Sequence, residues 1–252
     1  MKRQKIILKH CPHFYKILDF EIYEDDAISS KLISLYKDYI FSIDVTDERA
    51  LKKAEKIDLI ISKYIDDYLK LIEALKKETF DIDVRFGLEV CYTPETESLL
   101  SSILKNYHFD FLVGSVHSVD GYLYDMDAFS KELLWNKNDP SNIYKSYYDA
   151  IEKLIQSNLF DQVGHPDVIK LYSIVPGYDL HPTYHHIARL ANEYNIKMED
   201  NTKAHYSYHH PDIGLNADFR NILKENNVQI VTASDAHYPS DVGRCFKLLD
   251  PR

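Results

Sequence analysis

The sequence predicts an α/β protein whose parallel strands close into a TIM-like barrel. Three observations carry that expectation. Short apolar, β-rich runs alternate with helical patterns along the chain, as in repeated β–α units. Each such run ends on a polar residue, most often a histidine or a carboxylate. These endings recur at nearly every strand, which favours a closed barrel over an open sheet with one crevice. The length of 252 residues is long for one ordinary domain but normal for a single α/β barrel. Residues 1–252 are therefore expected to form one domain.

The elements follow in order. Ile6 to Leu8 reads as the end of a strand, with His10 just beyond it. Asp47 to Lys77 reads as a long amphipathic helix. Its apolar residues Leu51, Ala54, Ile57, Ile61, Ile65, Tyr68, Ile72 and Leu75 recur at gaps of three and four. Val84 to Glu89 is a strand ending on a carboxylate. Pro94 opens a helix through Ile103, where its missing N–H is not needed. Phe109 to Val113 is the next strand, followed by a polar stretch with Trp135 and Asp139-Pro140. Ile143 to Ser157 is helical and leads to the strand Phe160 to Val163. Pro182 opens a helix to Tyr194, and Ile196 to Glu199 is a short strand running into Asp200-Asn201-Thr202. Asn216 to Asn226 is helical, and Val228 to Thr232 is the last strand. Tyr206 to Pro211 is expected to be a loop over the barrel mouth.

Composition narrows the function. Apolar residues make up 45% of the chain, enough for a core, and the formal net charge is -10. That charge argues against a nucleic-acid backbone as partner. It leaves room for a small phosphorylated metabolite, because bound cations reverse a local field. Cys11, Cys91 and Cys245 show no paired spacing and read as reduced thiols of a cytoplasmic protein. No apolar run approaches the length of a membrane span, so no membrane partner is expected.

Chemistry concentrates in three segments just past strand ends: Gly114-Ser115-Val116-His117-Ser118, Gly164-His165-Pro166-Asp167 and Ala233-Ser234-Asp235-Ala236-His237. Phe86-Gly87-Leu88-Glu89 adds a carboxylate. Imidazoles and carboxylates converging from four strand ends suit a hydrolytic centre with several metal ions. Each residue also has a plainer reading. A single histidine at a strand end is more often a hydrogen-bonded structural residue than a ligand, and Asp235 suits a turn. Four segments in sequence, each at a strand end, weigh toward ligands. His181, His185 and His186 fall outside that pattern and read as surface or packing residues.

These four segments together resemble the PHP metallohydrolases, named for polymerases and histidinol phosphatases, and most of all their stand-alone histidinol-phosphatase branch. The resemblance covers nearly the whole chain from His10 onward. It implies a distorted (β/α)7 barrel with up to three metal ions at the carboxyl ends of the strands. It implies Glu89, His117 and His165 as one complete site, with His10 and His237 in a second and Asp235 with Glu89 in a third. It further implies divalent Zn, Mn or Fe, a metal-bound hydroxide as the attacking group, and no protein nucleophile. Lys170, Asn201, Lys203, His205 and Arg244 lie where a substrate phosphate would be gripped.

One departure shapes the expectations. The family opens on a His-x-His pair after its first strand, and this chain has only His10-Cys11-Pro12-His13 near its start. His10 followed by Cys-Pro resembles the family's second motif. The expectation is thus a barrel without its first strand and helix, one or two bound ions, impaired activity, and self-association through the open edge. A phosphomonoesterase acting on histidinol phosphate and a non-catalytic metal-binding remnant are the two leading readings. A metal-dependent amide or nucleotide hydrolase is a third.

Overall fold

The computed structural model describes residues 85–125, 130–236 and 238–249, with the short segments 9–10, 15–16, 69–70, 73–74 and 76–77. The chain divides into two compact units, Met1–Leu88 with Ser98–Phe111, and Glu89–Glu97 with Leu112–Arg252.

In the first unit, β1 (Lys9–His10) pairs antiparallel with β2 (Tyr15–Lys16), with His10 opposite Tyr15. This corrects one expectation. His10 stands on an antiparallel pair, not at the end of a strand in the parallel sheet. The Asp110 carboxylate accepts the backbone N–H of Phe86 at 2.6 Å, and Phe86 stacks on Phe109 at 4.7 Å between ring centres. Residues 69–70 and 73–74 are helical, and the rest of the expected Asp47–Lys77 helix lies outside the described residues apart from the turn at 76–77.

The second unit carries the sheet. Its strands are β3 (Gly87–Cys91, whose first two residues belong to the first unit), β4 (Phe111–Ser115), β7 (Gln162–Val163), β8 (Lys197–Asn201) and β9 (Ile230–Ala233), in the order β3-β4-β7-β8-β9. The β4–β7, β7–β8 and β8–β9 pairs are parallel. Sequential strands are therefore neighbours, as β–α alternation requires. Closure of the sheet and the expected missing first strand lie outside the described residues. A short antiparallel pair, β5 (Ser118–Val119) with β6 (Tyr122–Leu123), follows β4. Asp120-Gly121 joins the two strands, with positive φ at both residues.

Helix α1 (Glu97–Leu104) belongs, from Ser98 on, to the first unit, and the second unit carries α2 (Pro140–Gln156), α3 (His181–Glu193), α4 (Lys203–Tyr208), α5 (Ala217–Glu225) and α6 (Phe246–Leu249). Helix α2 begins earlier than its apolar pattern suggested. Asp139 caps it by accepting from Ser141 N at 2.7 Å, and Pro140 occupies the first turn, where no N–H is required. Asn216 caps α5 in the same way, its Oδ1 accepting from Asp218 N and Phe219 N. Helix α4 is a correction, because Tyr206 to Tyr208 belong to a helix and not to a loop.

Helices α2, α3 and α5 pack side by side. Their buried faces include Ile143, Tyr147, Tyr148, Ile151, Ile187, Phe219 and Leu223. Tyr184 stacks on Phe219 at 4.5 Å, and Tyr148 meets both edge-on. Burying each such ring contributes about 1.5–3 kcal/mol. Helix α2 also packs against β7, whose carboxyl end leads to His165.

Candidate metal centre

Register brings the motif segments level. Gly114 pairs with Val163, and Gly164 N–H donates to Gly114 O at 2.8 Å, so His117 and His165 emerge side by side. Tyr92 N–H donates to Ser115 O at 2.8 Å, which brings β3 alongside β4. Glu89 lies in the middle of β3, not at its end as expected, and its side chain points to the same cluster.

The three side chains form a tight triangle. His117 Nε2 and His165 Nε2 are 3.1 Å apart, His165 Nε2 is 3.2 Å from Glu89 Oε1, and His117 Nε2 is 3.7 Å from that oxygen. Donors about 2.1 Å from one ion stand about 3.0–3.4 Å apart in octahedral or tetrahedral coordination. Two of the three spacings fall in that range and the third, 3.7 Å, lies a few tenths beyond it, so the donor set fits a divalent transition metal after a small closure of His117 on Glu89. The histidines are largely buried, whereas the Glu89 side chain keeps 42% of its surface exposed, so the triangle opens on its carboxylate side. Among the described residues this is the cluster of histidine and acidic ligand atoms with metal-binding spacing.

Electrostatics without an ion follow from the same contacts. Burial pushes the His165 pKa down, but the Glu89 hydrogen bond and the charges of Glu89, Glu199 and Asp235 outweigh it and raise it to about 9. Enclosure pushes the Glu89 carboxyl up, but the hydrogen bond and charge of His165, the charge of His117 and the Ser115 hydroxyl hold it well below the usual range. The metal-free centre is thus an imidazolium–carboxylate pair, whose proton an arriving cation must displace.

Supporting groups fix the triangle. Ser115 Oγ donates to Glu89 Oε1 at 2.7 Å. His165 adopts φ of +30°, unfavourable for a residue with a Cβ. Its N–H donates to Glu199 Oε2 at 2.7 Å, and its carbonyl accepts from Tyr147 at 3.3 Å. Glu199 is buried, and burial raises its carboxyl to about 7, with the Glu89 charge adding to that rise and His165 opposing it. Sequence reading placed Glu199 on a strand without assigning it a role. A carboxylate inside a short buried strand was the available signal.

The other expected site residues lie as follows. Asp235 has φ of +47°, its Oδ2 is 3.3 Å from Lys203 Nζ, and its charge reaches His165 although it is not one of the three triangle residues. His237 and the His10 side chain lie outside the described residues. Asn201 is buried, donates to Glu199 Oε2 at 3.1 Å and accepts from Lys203 N at 2.8 Å. Lys203 therefore starts α4 with its ammonium toward Asp235. His205 Nδ1 is 2.8 Å from His210 O. Arg244 sits 4.7 Å over the Tyr206 ring, bonds Asp241 at 2.9 Å and remains half exposed. Lys170, expected beside the substrate phosphate, has its ammonium engaged within the protein. Its three N–H groups go to Asp167 at 2.7 Å, Asp212 at 2.8 Å and Gly214 O at 2.7 Å, which accounts for every donor an ammonium has. His181 and His186 meet the acidic partners Asp179 and Glu152.

Comparison with known proteins gives this arrangement a context. The family model of the PHP domain matches residues 33–204. The histidinol-phosphatase of Bacillus subtilis is 26% identical over 219 residues, covering 80% of each chain. A Deinococcus radiodurans protein named probable histidinol-phosphatase is 29% identical over 194 residues, covering 74% of this chain and 69% of its own length. Among solved structures, the histidinol phosphate phosphatase of Lactococcus lactis, in complex with zinc, L-histidinol and phosphate, superposes with a TM-score of 0.52 at 17% identity. It spans 70% of this chain and 66% of that one. A Listeria monocytogenes structure described as a candidate histidinol phosphatase reaches a TM-score of 0.64 at 17% identity, over 75% and 76% of the two chains. The α/β fold with parallel strands, the triangle of ligand side chains and the match over most of the chain agree, and the chain belongs to the PHP domain family.

Proposed function

We propose that this chain is a metal-dependent phosphomonoesterase that cleaves histidinol phosphate to histidinol and phosphate. The observation that carries the reading is the triangle of Glu89, His117 and His165, built on adjacent strands of a PHP fold. Relatives named for histidinol phosphate hydrolysis, and a structural neighbour that holds zinc, L-histidinol and phosphate, support the substrate.

Glu89, His117 and His165 would hold a divalent ion such as Zn, Mn or Fe. A bound ion of this kind supplies Lewis acidity toward phosphate oxygens and acidifies water. The protein's own part is to aim both imidazoles at one point, with Ser115 orienting the Glu89 carboxylate. Asp235, His10 and His237 are proposed as ligands of further ions. Lys203, His205, Asn201 and Arg244 are proposed for the phosphate side, where Lys203 and Arg244 add positive charge beside Asp235 and Asp241. Cys245 is a free thiol, which suits a cytoplasmic setting. Among the described residues no helix is long and apolar enough to cross a membrane.

The test is phosphate release from histidinol phosphate with Mn or Zn supplied. Release that disappears with a chelator, and with His165→Ala or His117→Ala, supports the proposal. A chain that binds metal at the triangle yet releases no phosphate under any divalent ion would instead be a non-catalytic metal-binding protein.

A further inference from the structure

We propose that Glu199 is the positioning residue of the metal centre, holding His165 from behind and setting the neighbouring strand end with the same carboxylate. The inference rests on the reading that Glu89, His117 and His165 bind a divalent ion. Glu199 itself lies on β8, is 8% exposed, and is not part of the ligand triangle.

Three donors converge on it. His165 N–H donates to Oε2 at 2.7 Å, Asn201 Nδ2 to the same oxygen at 3.1 Å, and Gln162 Nε2 to Oε1 at 3.2 Å. The first contact is the informative one. His165 sits at φ of +30°, where its Cβ is crowded, and it must be held there from outside. Rotation about that φ would swing the imidazole away from Glu89 and His117. With Glu199 accepting the N–H and Tyr147 bonding the carbonyl, the residue is gripped on both sides. Without Glu199, the buried N–H would lack its acceptor, and the strained conformation would lose its main restraint.

The second contact extends the effect. Asn201 links Glu199 to the backbone N–H of Lys203, and Lys203 Nζ lies 3.3 Å from Asp235. One carboxylate therefore registers the end of β7 against the start of α4. A residue that only filled the core would affect folding but leave ion binding in the folded protein unchanged.

The experiment compares metal-free wild type, Glu199→Ala and Glu199→Gln. It measures zinc affinity by competition with a chromophoric chelator, and the visible absorption of bound cobalt as a report on ligand geometry, with thermal melts alongside. Glu199→Ala is expected to weaken zinc binding by about ten-fold to a hundred-fold, the scale for groups that orient metal ligands, and to change the cobalt bands. Glu199→Gln is expected to fall between, because its carbonyl can still accept from His165 while its NH2 faces other donors. Both variants binding zinc within about two-fold of wild type, with an unchanged cobalt spectrum, would overturn the inference. Should Glu199→Ala fail to fold, Glu199→Gln decides on the same two readouts. Wild type that binds no zinc would instead refute the metal reading on which the inference stands.

Discussion

His117 and His165 point their Nε2 atoms at each other across 3.1 Å, with Glu89 Oε1 as the third corner. Two imidazole nitrogens at that distance need a shared proton or a shared cation between them. The arrangement accordingly makes definite demands on metal, pH and packing.

The purified chain is expected to hold at least one transition metal per molecule. Removing one of three ligands should lower affinity by about a hundred-fold or more, beyond the loss for an orienting group. Elemental analysis after mild dialysis should find His165→Ala depleted and exposed His185→Ala like wild type. Equal metal content in both variants would contradict the ligand assignment.

Metal binding is expected to strengthen with pH. In the metal-free chain the His165 pKa is raised to about 9, so at neutral pH an incoming ion displaces its proton. Zinc affinity should rise about ten-fold per pH unit while one proton is displaced, and flatten above about 9. Calorimetry in buffers of different ionisation enthalpy reads the released proton directly. A flat pH response between 6 and 8 would exclude this coupling.

Stability of the metal-free chain is expected to fall as pH rises. Glu199 is raised from 4.5 to about 7 and His165 from 6.5 to about 9. Each raised pKa contributes stability that is complete below its ordinary value and is lost as pH passes its folded value. The two windows together run from about pH 4.5 to 9. Glu89, held below its ordinary 4.5, has the opposite sign and is lost only as pH falls beneath that value. Thermal melts in the presence of chelator should therefore decline from pH 5 to 9, and saturating zinc should reverse the decline. A melting temperature that climbs over this range without metal would be incompatible with these shifts.

Lys170→Met is expected to act on stability. The ammonium neutralises buried Asp167, whose Oδ2 also accepts from Asn216 N at 2.6 Å. Leaving that carboxylate without its cation should cost about 3–5 kcal/mol. Denaturant titration would show the loss. If the fold kept its stability while KM for histidinol phosphate rose, Lys170 would be a phosphate ligand after all.

Gly164→Ala should damage the site through packing. A Cβ there would overlap the Ser115 hydroxyl, approach Val113 Cγ1 to 3.0 Å and touch Glu89 Oε1 at 3.5 Å. Crowding of this kind costs about 1–3 kcal/mol. It also displaces the hydroxyl that orients Glu89, so zinc affinity should drop along with the melting temperature. A variant with unchanged melting and unchanged affinity would show that Ser115 can move away without consequence.

The sequence by itself determined the α/β class and the residues that make the triangle. Strand, helix and strand-end histidine are all written within a few neighbouring positions. Gly114 to His117 and Gly164 to His165 show a β-rich run, a glycine and a ligand in local order. Helix starts were less legible where a cap outran the apolar pattern, as at Asp139, and the aromatic run after Lys203 hid a helix. Tertiary structure alone decided which polar groups meet. Ser115 reaches Glu89 across 26 residues, Glu199 reaches His165 across 34, and Lys170 reaches Asp212 across 42. Those pairings depend on strand register and on donor counts, which no local pattern encodes. A lysine five residues past a ligand histidine looks ready for phosphate until packing supplies two carboxylates and a carbonyl to hold it. A strand glutamate looks like any other until the sheet places a strained backbone N–H against it.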